Sequence, residues 1–559
     1  MKKGEAVFII SIIVSAVFYG VSSLMLNIGV ASRKKDRIVT DEYEISIEII
    51  EPIKNRVGTI VLIHGILSSK NMLRPYATDL VRYGWRVILV DQLGHGETGS
   101  KYRLTMDDID DPAYALEKII NQSNSFRKAL GAYLRSKLGE EKIAFGGHSM
   151  GALLALLMAK EYDDDLNIVA TIAIAPPYLE GIVNRTVPRN ILLCLGKYDE
   201  FITINDLKSY VNPDMPEVVE VGRTYGNFTR GDARMVFISP SSDHIFEPYD
   251  PLIIEQSIIW LSRSVGMSYS HVVVLATLAS ALKALSTLVG LILVAMLPIV
   301  LADKIGMISG GKRFPTLKLI KNTLAAAYVT WPLVTIFFLL MLLRHIIELA
   351  GMLGYIMPVL IGGYLLVATI GLIVASSFLS GGEVVGVIKK VYLYIRSDPI
   401  RGMFLGLAEA VVFLLVLELT LGEVFMPMIP KSPGRIGMAI LLGLMIFGYF
   451  IFHEYLFRAQ IQEIYGGKKR RAAIISIGIS LSSKIVVIIA IAGIVYVISP
   501  FSIVAVAGIF GMVLVALLTE GLAATSYYAT REILPHALAS AIVWASIAAA
   551  AFPVVIITL

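Results

Sequence analysis

The sequence predicts two units of different class: a mostly parallel α/β domain with helices on both sheet faces, then an all-α polytopic membrane domain. Three observations carry this. Hydrophobic residues make up 56% of the 559-residue chain and its mean hydropathy is +0.72, well beyond soluble globular proteins. The apolarity is uneven, because only 11 of the 44 acidic residues fall after Met267. Between Ala31 and Val265, short apolar runs instead alternate with charged amphipathic stretches, as strands alternate with helices.

The first element is an apolar run at 6–28 behind Lys2 and Lys3. It is longer than a secretory signal core and no clean small-residue cleavage site follows, so residues 1–30 are expected to be an uncleaved membrane anchor. Residues 31–266 hold the α/β domain. Strand-like runs lie at 59–63, 86–90, 143–145, 168–175, 191–195 and 234–238, with helical patterns at 70–83, 111–138 and 150–162. The strands are nearly continuous apolar runs, the pattern of a parallel sheet buried on both faces. The single cysteine, Cys194, lies inside one such run and is expected to be a buried strand residue, and no disulfide framework is possible.

Residues 267–559 form the membrane domain. Spans are legible near 271–302, 322–343, 351–380, 402–428, 436–457, 472–498, 500–521 and 536–558, about nine in all with the first. Alternate loops are basic. One holds Lys304, Lys312, Arg313, Lys318 and Lys321; the next Lys389, Lys390, Arg396 and Arg401; the third Arg458, Lys468, Lys469, Arg470 and Arg471. The intervening loops hold only Arg344, Lys431 and Arg435. The positive-inside rule puts the basic loops in the cytoplasm, so the α/β domain is expected outside, on a multi-pass protein of the cell membrane. A basic cluster at Arg33 to Arg37 argues the other way and is outweighed by the bias across the spans. Asn-x-Ser/Thr sequons at Asn121, Asn184 and Asn227 all fall in the domain placed outside. The net charge of +5 sits mostly in loops between spans and makes no case for nucleic acid.

Chemistry concentrates at Gly147-His148-Ser149-Met150-Gly151, a G-x-S-x-G run between a strand-like segment and an Ala/Leu/Met-rich helical one. That context fits a nucleophile elbow, with Ser149 in a strained turn and glycines leaving room for it to close. Further polar motifs stand where the other strands end: His64-Gly65-Ile66-Leu67, Asp91 to Thr98, Gly196-Lys-Tyr-Asp199 and Ser239 to His244. Catalytic groups of parallel sheets gather at such ends. Together these motifs, over roughly 43–265, resemble the α/β-hydrolase superfamily, in its monoacylglycerol-lipase and serine-aminopeptidase-like branch. The resemblance implies Ser149 as nucleophile, His244 as general base and Asp199 as its orienting carboxylate, in the chain order this fold uses. Asp243 and Glu200 are neighbouring alternatives to Asp199. The backbone N–H groups of Ile66 and Met150 are the implied oxyanion hole. His64 and His95 read as loop-tying residues, and His148 as a common elbow residue. No metal-ligand spacing and no phosphate-cradling glycine loop occurs, so no cofactor is expected.

One departure bears on substrate. A cap usually interrupts this branch between the 168–175 and 191–195 strands, where only residues 176–190 stand here, too few for a helical cap. The site is therefore open, or is covered by residues 201–233 or by the membrane side of the molecule. Within the spans, ionisable residues are functional candidates by default, among them Lys283, Glu409, Glu418 and Lys484. The run His453-Glu454-x-x-x-Arg458 resembles the Glu-Glu-x-x-x-Arg motif of CAAX-protease-like (CPBP) intramembrane proteins, with His536 near that family's last histidine. His453 replaces its first glutamate, Lys484 stands near its middle histidine and Ser540 replaces its asparagine. A helix-end pair that holds the bundle together is the competing reading of His453, Glu454, Arg458 and His536. The expected function is a membrane-anchored serine hydrolase acting on lipid-like or acylglycerol esters, with membrane lipids as neighbours. A peptidase with the same triad is the alternative, as is a transporter or receptor using the domain as a binding module.

Overall fold

The computed structural model describes residues 3–99, 102–105, 112–305, 320–466, 470–498 and 519–558. Lys312, Arg313, Lys318, Lys468, Lys469 and most of the expected span at 500–521 lie outside the described residues.

A helix at Lys3–Asn27 runs, through Gly29 at φ +83°, into strand β1 (Val30–Val39). There follow β2 (Glu44–Pro52), β3 (Gly58–Ile63), β4 (Trp85–Val90), β5 (Tyr102–Thr105), β6 (Ile143–His148), β7 (Ile168–Ile174), β8 (Ile191–Gly196) and β9 (Arg234–Ser239). Eight of these make one sheet in the order β1-β2-β4-β3-β6-β7-β8-β9. Both β1 against β2 and β2 against β4 are antiparallel; every other neighbouring pair is parallel. All six runs expected as strands are the parallel ones. The expected helix at 70–83 starts as a 3₁₀ turn at Lys70–Leu73 before Arg74–Arg82, and the one at 111–138 is two helices, Pro112–Gln122 and Asn124–Leu138.

The parallel strands are buried on both faces, as near-continuous apolar runs require. Alternate residues of β3 serve two cores: Val61 and Ile63 join Ile88, Phe145 and Leu153, whereas Ile60 and Leu62 join Tyr76, Trp85 and Ile172. Cys194 is fully buried in β8 as expected. The last helix of the domain, Pro251–Ser264, is capped by Asp250, whose Oδ1 accepts the N–H groups of Leu252 and Ile253. Its Oδ2 accepts the hydroxyls of Ser239 (2.6 Å) and Ser241 (3.1 Å), tying the helix start to the end of β9.

Among the described residues, seven helices are long and apolar enough to cross a membrane: Glu5–Asn27, Ala276–Ala302, Asn322–Ala350, Pro358–Ser380, Pro399–Val424, Pro433–Gln462 and Leu534–Ala551. A further helix at Arg470–Ile498 occupies the expected 472–498 position. The expected span at 536–558 is corrected: its helix stops at Ala551, and Val555–Thr558 form strand β10, pairing in parallel with β5. Pro553 cannot continue a helix, and the β-branched run after it favours extended backbone. The α/β domain rests directly on span ends. Asp79 accepts the N–H groups of Leu275 and Ala276 and so caps the second span, Asn71 Nδ2 donates to Gly422 O at 2.6 Å, and Tyr249 Oη donates to Val424 O at 2.6 Å.

Replacing Asp250 by alanine removes a cap and takes an acceptor from the buried hydroxyl of Ser239 and the exposed one of Ser241. The expected cost is about 1–2 kcal/mol, read as a lower unfolding midpoint of the purified full-length protein in detergent.

Candidate active site

The run Gly147 to Gly151 bridges the end of β6 and the helix Met150–Glu161. Ser149 sits at φ +56° and ψ −127°, a conformation that costs a non-glycine residue of order 1–3 kcal/mol. The turn fits only because its flanks lack side chains. A Cβ on Gly151 would lie 2.1 Å from Ile63 O, and one on Gly147 would lie 2.3 Å from Gly151 O. Gly65, in the loop after β3, approaches the same turn, with a Cβ there 3.1 Å from Ser149 Cβ.

Three chain-distant residues meet at this turn. Ser149 Oγ donates to His244 Nε2 at 3.0 Å, and His244 Nδ1 donates to Asp199 Oδ2 at 2.7 Å. Asp199 follows β8 and His244 follows β9, so the parallel register of β6, β7, β8 and β9 delivers all three side chains to one sheet edge. Of the alternatives, Asp243 is spent on its own turn, accepting from Ile245 and Phe246 N–H, and Asp199 holds His244. Asp199 also accepts the N–H groups of Phe201 (2.7 Å) and Ile202 (2.8 Å). Burial would raise its carboxyl, but the hydrogen bond and charge of His244 and these two N–H groups hold it below its ordinary value. Among the described residues, neither the Ile66 nor the Met150 N–H, the two expected oxyanion donors, has a protein acceptor.

Two residues that the sequence did not single out adjoin this edge, Glu247 behind it and Phe201 at its surface. Glu247 is fully buried, accepts the Gly196 N–H through Oε1 and lies 3.4 Å from His148 Nε2. Burial, then the negative charge of Asp199, push its carboxyl well above the ordinary range. Phe201 places its ring 5.0 Å from that of His244, edge to face. His148 donates from Nε2 to His244 O at 2.8 Å, which fixes the loop carrying His244; burial, then His244, push its imidazole down to about 3. His148, His244 and Glu247 are close enough for one atom each to meet a metal ion. Both nitrogens of His244 are however engaged by Ser149 and Asp199, so the three read as a hydrogen-bond network. His64 ties two loops, donating to Gly65 O at 2.7 Å and accepting the Gln92 N–H at 3.1 Å, and His95 donates to Leu93 O at 2.7 Å.

Residues 176–190 contain no helix, in keeping with the missing cap. The 201–233 segment carries the helix Ile204–Val211, whose Tyr210 donates to Pro177 O, and Phe228 packs edge to face on Trp260, away from Ser149. Exposed apolar side chains remain on the loops around the serine: Ile66, Tyr198, Phe201, Ile245 and Phe246.

Residues 58–193 match the family described as alpha/beta hydrolase fold. The fold is that of an α/β hydrolase. Similar solved structures include a predicted CIB-like hydrolase from Thermoplasma acidophilum (19% identity, 42% of this chain and 99% of that one, TM-score 0.30). A soluble variant of monoglyceride lipase from Saccharomyces cerevisiae, in complex with a substrate analog, is 13% identical over 41% of this chain and 95% of that one, TM-score 0.31. A membrane phospholipase A, described as a bacterial virulence factor, is 13% identical over 45% and 92%, TM-score 0.31. No curated protein matches this chain.

The residues His453, Glu454, Arg458 and His536 of the candidate spans fall into two groups. His453 Nδ1 lies 3.1 Å from Glu454 Oε1, and Arg458 Nε lies 3.7 Å from Glu454 Oε2. Glu520, unnoticed in the sequence, joins them: it contacts Arg458 and Lys484 and lies 3.2 Å from His453 Nε2. His536 stands apart from that group, pairing with Glu409 at 3.4 Å and accepting the Ser540 hydroxyl at 2.8 Å. Ser526 donates to the other oxygen of Glu409.

Two tests follow from these geometries. The raised Glu247 carboxyl binds its proton more tightly in the folded chain than in the unfolded one. Its contribution is full below the ordinary value of 4.5 and is lost as pH rises toward the folded value. Glu247→Gln lacks this loss, so its unfolding midpoint gains on wild type as pH rises above the ordinary value of 4.5. Glu520→Ala removes the carboxylate paired with Lys484 and leaves Arg458 only that of Glu454 at 3.7 Å, an expected cost of about 3–5 kcal/mol, seen as early unfolding in a detergent thermal scan.

Proposed function

We propose that this chain is a membrane-anchored serine hydrolase that cleaves carboxylic esters of lipid-like or acylglycerol substrates. The reading rests on one observation, the continuous chain from Ser149 Oγ through His244 to Asp199 Oδ2 at 3.0 and 2.7 Å. In this reading His244 takes the Ser149 proton as the oxygen attacks the ester carbonyl. Asp199 keeps the imidazole in the required tautomer and stabilises its charged form. The free N–H groups of Ile66 and Met150 receive the developing oxyanion, each worth about 3 kcal/mol of barrier. His244 then protonates the leaving alcohol, and water releases the acyl group by the reverse path.

The substrate class follows from the surroundings. The site lacks a cap, its rim carries exposed Ile66, Ile245 and Phe246, and the loop bearing those last two reaches Tyr249, which is bonded to the end of a candidate span at Val424. An amphiphilic ester held in the same bilayer has the shortest path to such a site.

The domain belongs on the extracytoplasmic side. The span ends it touches, Ala276, Gly422 and Val424, are opposite the ends that lead to the basic residues Lys304, Lys389, Lys390, Arg396 and Arg401. The opposing Arg33 to Arg37 cluster is compensated within the fold: Arg33 lies near Glu48, Lys35 near Glu97 and Arg37 near Glu44. Much of the charge of Lys35 and Arg37 is thus matched locally, and the bias across the spans outweighs what the cluster retains. Asn121, Asn184 and Asn227 are all exposed.

A fluorophosphonate reporter that cannot cross membranes is expected to label Ser149 on intact cells. Ser149→Ala abolishes the label, and turnover of a monoacylglycerol falls by about 10⁴-fold or more. Labelling only after permeabilisation would reverse the sidedness, and no labelling at all would end the serine-hydrolase reading.

A further inference from the structure

A second recess lies where the α/β domain meets the span ends. It holds about 360 Å³, near the lower end of the range of small-molecule sites, about 300–1,000 Å³. Its wall is charged. Arg33, Lys35, Arg74 and Lys431 face Glu48, Glu418 and Glu423.

The carboxylates are already engaged. Glu48 receives Arg74 at 2.7 Å, and Glu418 holds Lys431 at 2.7 Å together with the N–H groups of Met428 and Ile429. Glu423 is neutralised from the membrane side by Lys283 at 2.6 Å. Lys35 pairs at the rim with Glu97 at 3.2 Å. Against these pairs Arg33 is left under-matched. One of its terminal nitrogens donates to Leu26 O at 2.6 Å, its approach to Glu48 is only 4.0 Å, and its buried Nε has no acceptor among the described residues. Its other terminal nitrogen, Nη1, has no hydrogen bond among the described residues and, unlike Nε, is not buried, so a guanidinium donor is left facing the recess, where an anion suits it.

Position narrows the anion. Leu26 and Asn27 in the wall end the span Glu5–Asn27, and Gly422 and Glu423 lie in the last turn of the span Pro399–Val424. The recess therefore sits at the depth of lipid headgroups. Val21, Leu24 and Leu419, one to two turns back along the same two spans, are exposed apolar side chains. A phosphate carrying acyl chains satisfies both levels, polar above and apolar below; a free phosphate satisfies only the first. We propose that this recess binds the phosphate headgroup of an anionic phospholipid, with Arg33 as its principal partner and Lys35 and Lys431 at its rim. The site is separate from Ser149, and its occupancy is read without any hydrolysis.

The test uses the full-length protein in nonionic detergent, with dioleoylphosphatidylglycerol added and retained lipid counted by native mass spectrometry. Wild type is expected to keep one lipid, and Arg33→Gln and Lys35→Glu to weaken retention about fivefold for each unit of charge removed. Lys35 has a 58% exposed side chain, so Lys35→Glu tests the site even where Arg33→Gln unfolds. Equal retention by wild type and a folded Lys35→Glu protein overturns the proposal. So does equal retention of an uncharged diacylglycerol. Displacement of the lipid by an equimolar amount of inorganic phosphate overturns it in favour of a free-anion site.

Discussion

The close approach of Gly151 to the carbonyl ends of β3 is the constraint on which the site depends. The helix after β6 starts so near the sheet that no side chain fits between Gly151 and Ile63 O. That contact fixes where the helix begins and forces Ser149 into its positive-φ turn. It also leaves the Met150 N–H at the free first turn of a helix. Everything else at the sheet edge is arranged around that point. The loop after β3 packs on it through Gly65, and the loop after β9 is held over it by the bond from His148 to His244 O.

Directional polar bonds, beside the apolar packing of Ala276 on the α/β core, join the two regions of the chain. Asp79 caps a span, Asn71 and Tyr249 bond to carbonyls at the end of another, and Arg435 reaches Gly94 O. Directional bonds of this kind fix orientation as well as proximity. The loops that surround Ser149 are consequently held at a set height over the span ends.

The sequence was most legible where burial leaves a periodic trace. The six parallel strands and the Ser149, Asp199 and His244 edge could be read because uninterrupted apolar runs end at polar motifs. Strand β1 escaped notice because Arg33, Lys34, Lys35 and Arg37 look like a loop or a topology signal until Glu44, Glu48 and Glu97 are brought opposite them. Glu247 was hidden for a related reason: nothing in the local sequence marks a carboxyl that folding will bury behind Asp199. Glu520 is a single acid at the end of an apolar stretch, and its partners Arg458 and Lys484 come from other helices. The final strand was hidden by hydropathy itself, since Val555 to Ile557 are as suited to lipid as to a sheet.

That final strand has a consequence for how the molecule is made. Val555 pairs with Tyr102 across all the candidate spans that follow the α/β domain, so this small parallel sheet closes only after the chain between them has been made. Such a non-local pairing forms late, because the entropy of closing the loop is lost before the contact is gained. The segment containing β5 must therefore wait, unpaired, beside a hydrolase domain that is otherwise built from earlier sequence. Biogenesis has in this sheet a built-in order of events, in which the α/β domain is finished by residues that follow the last candidate span.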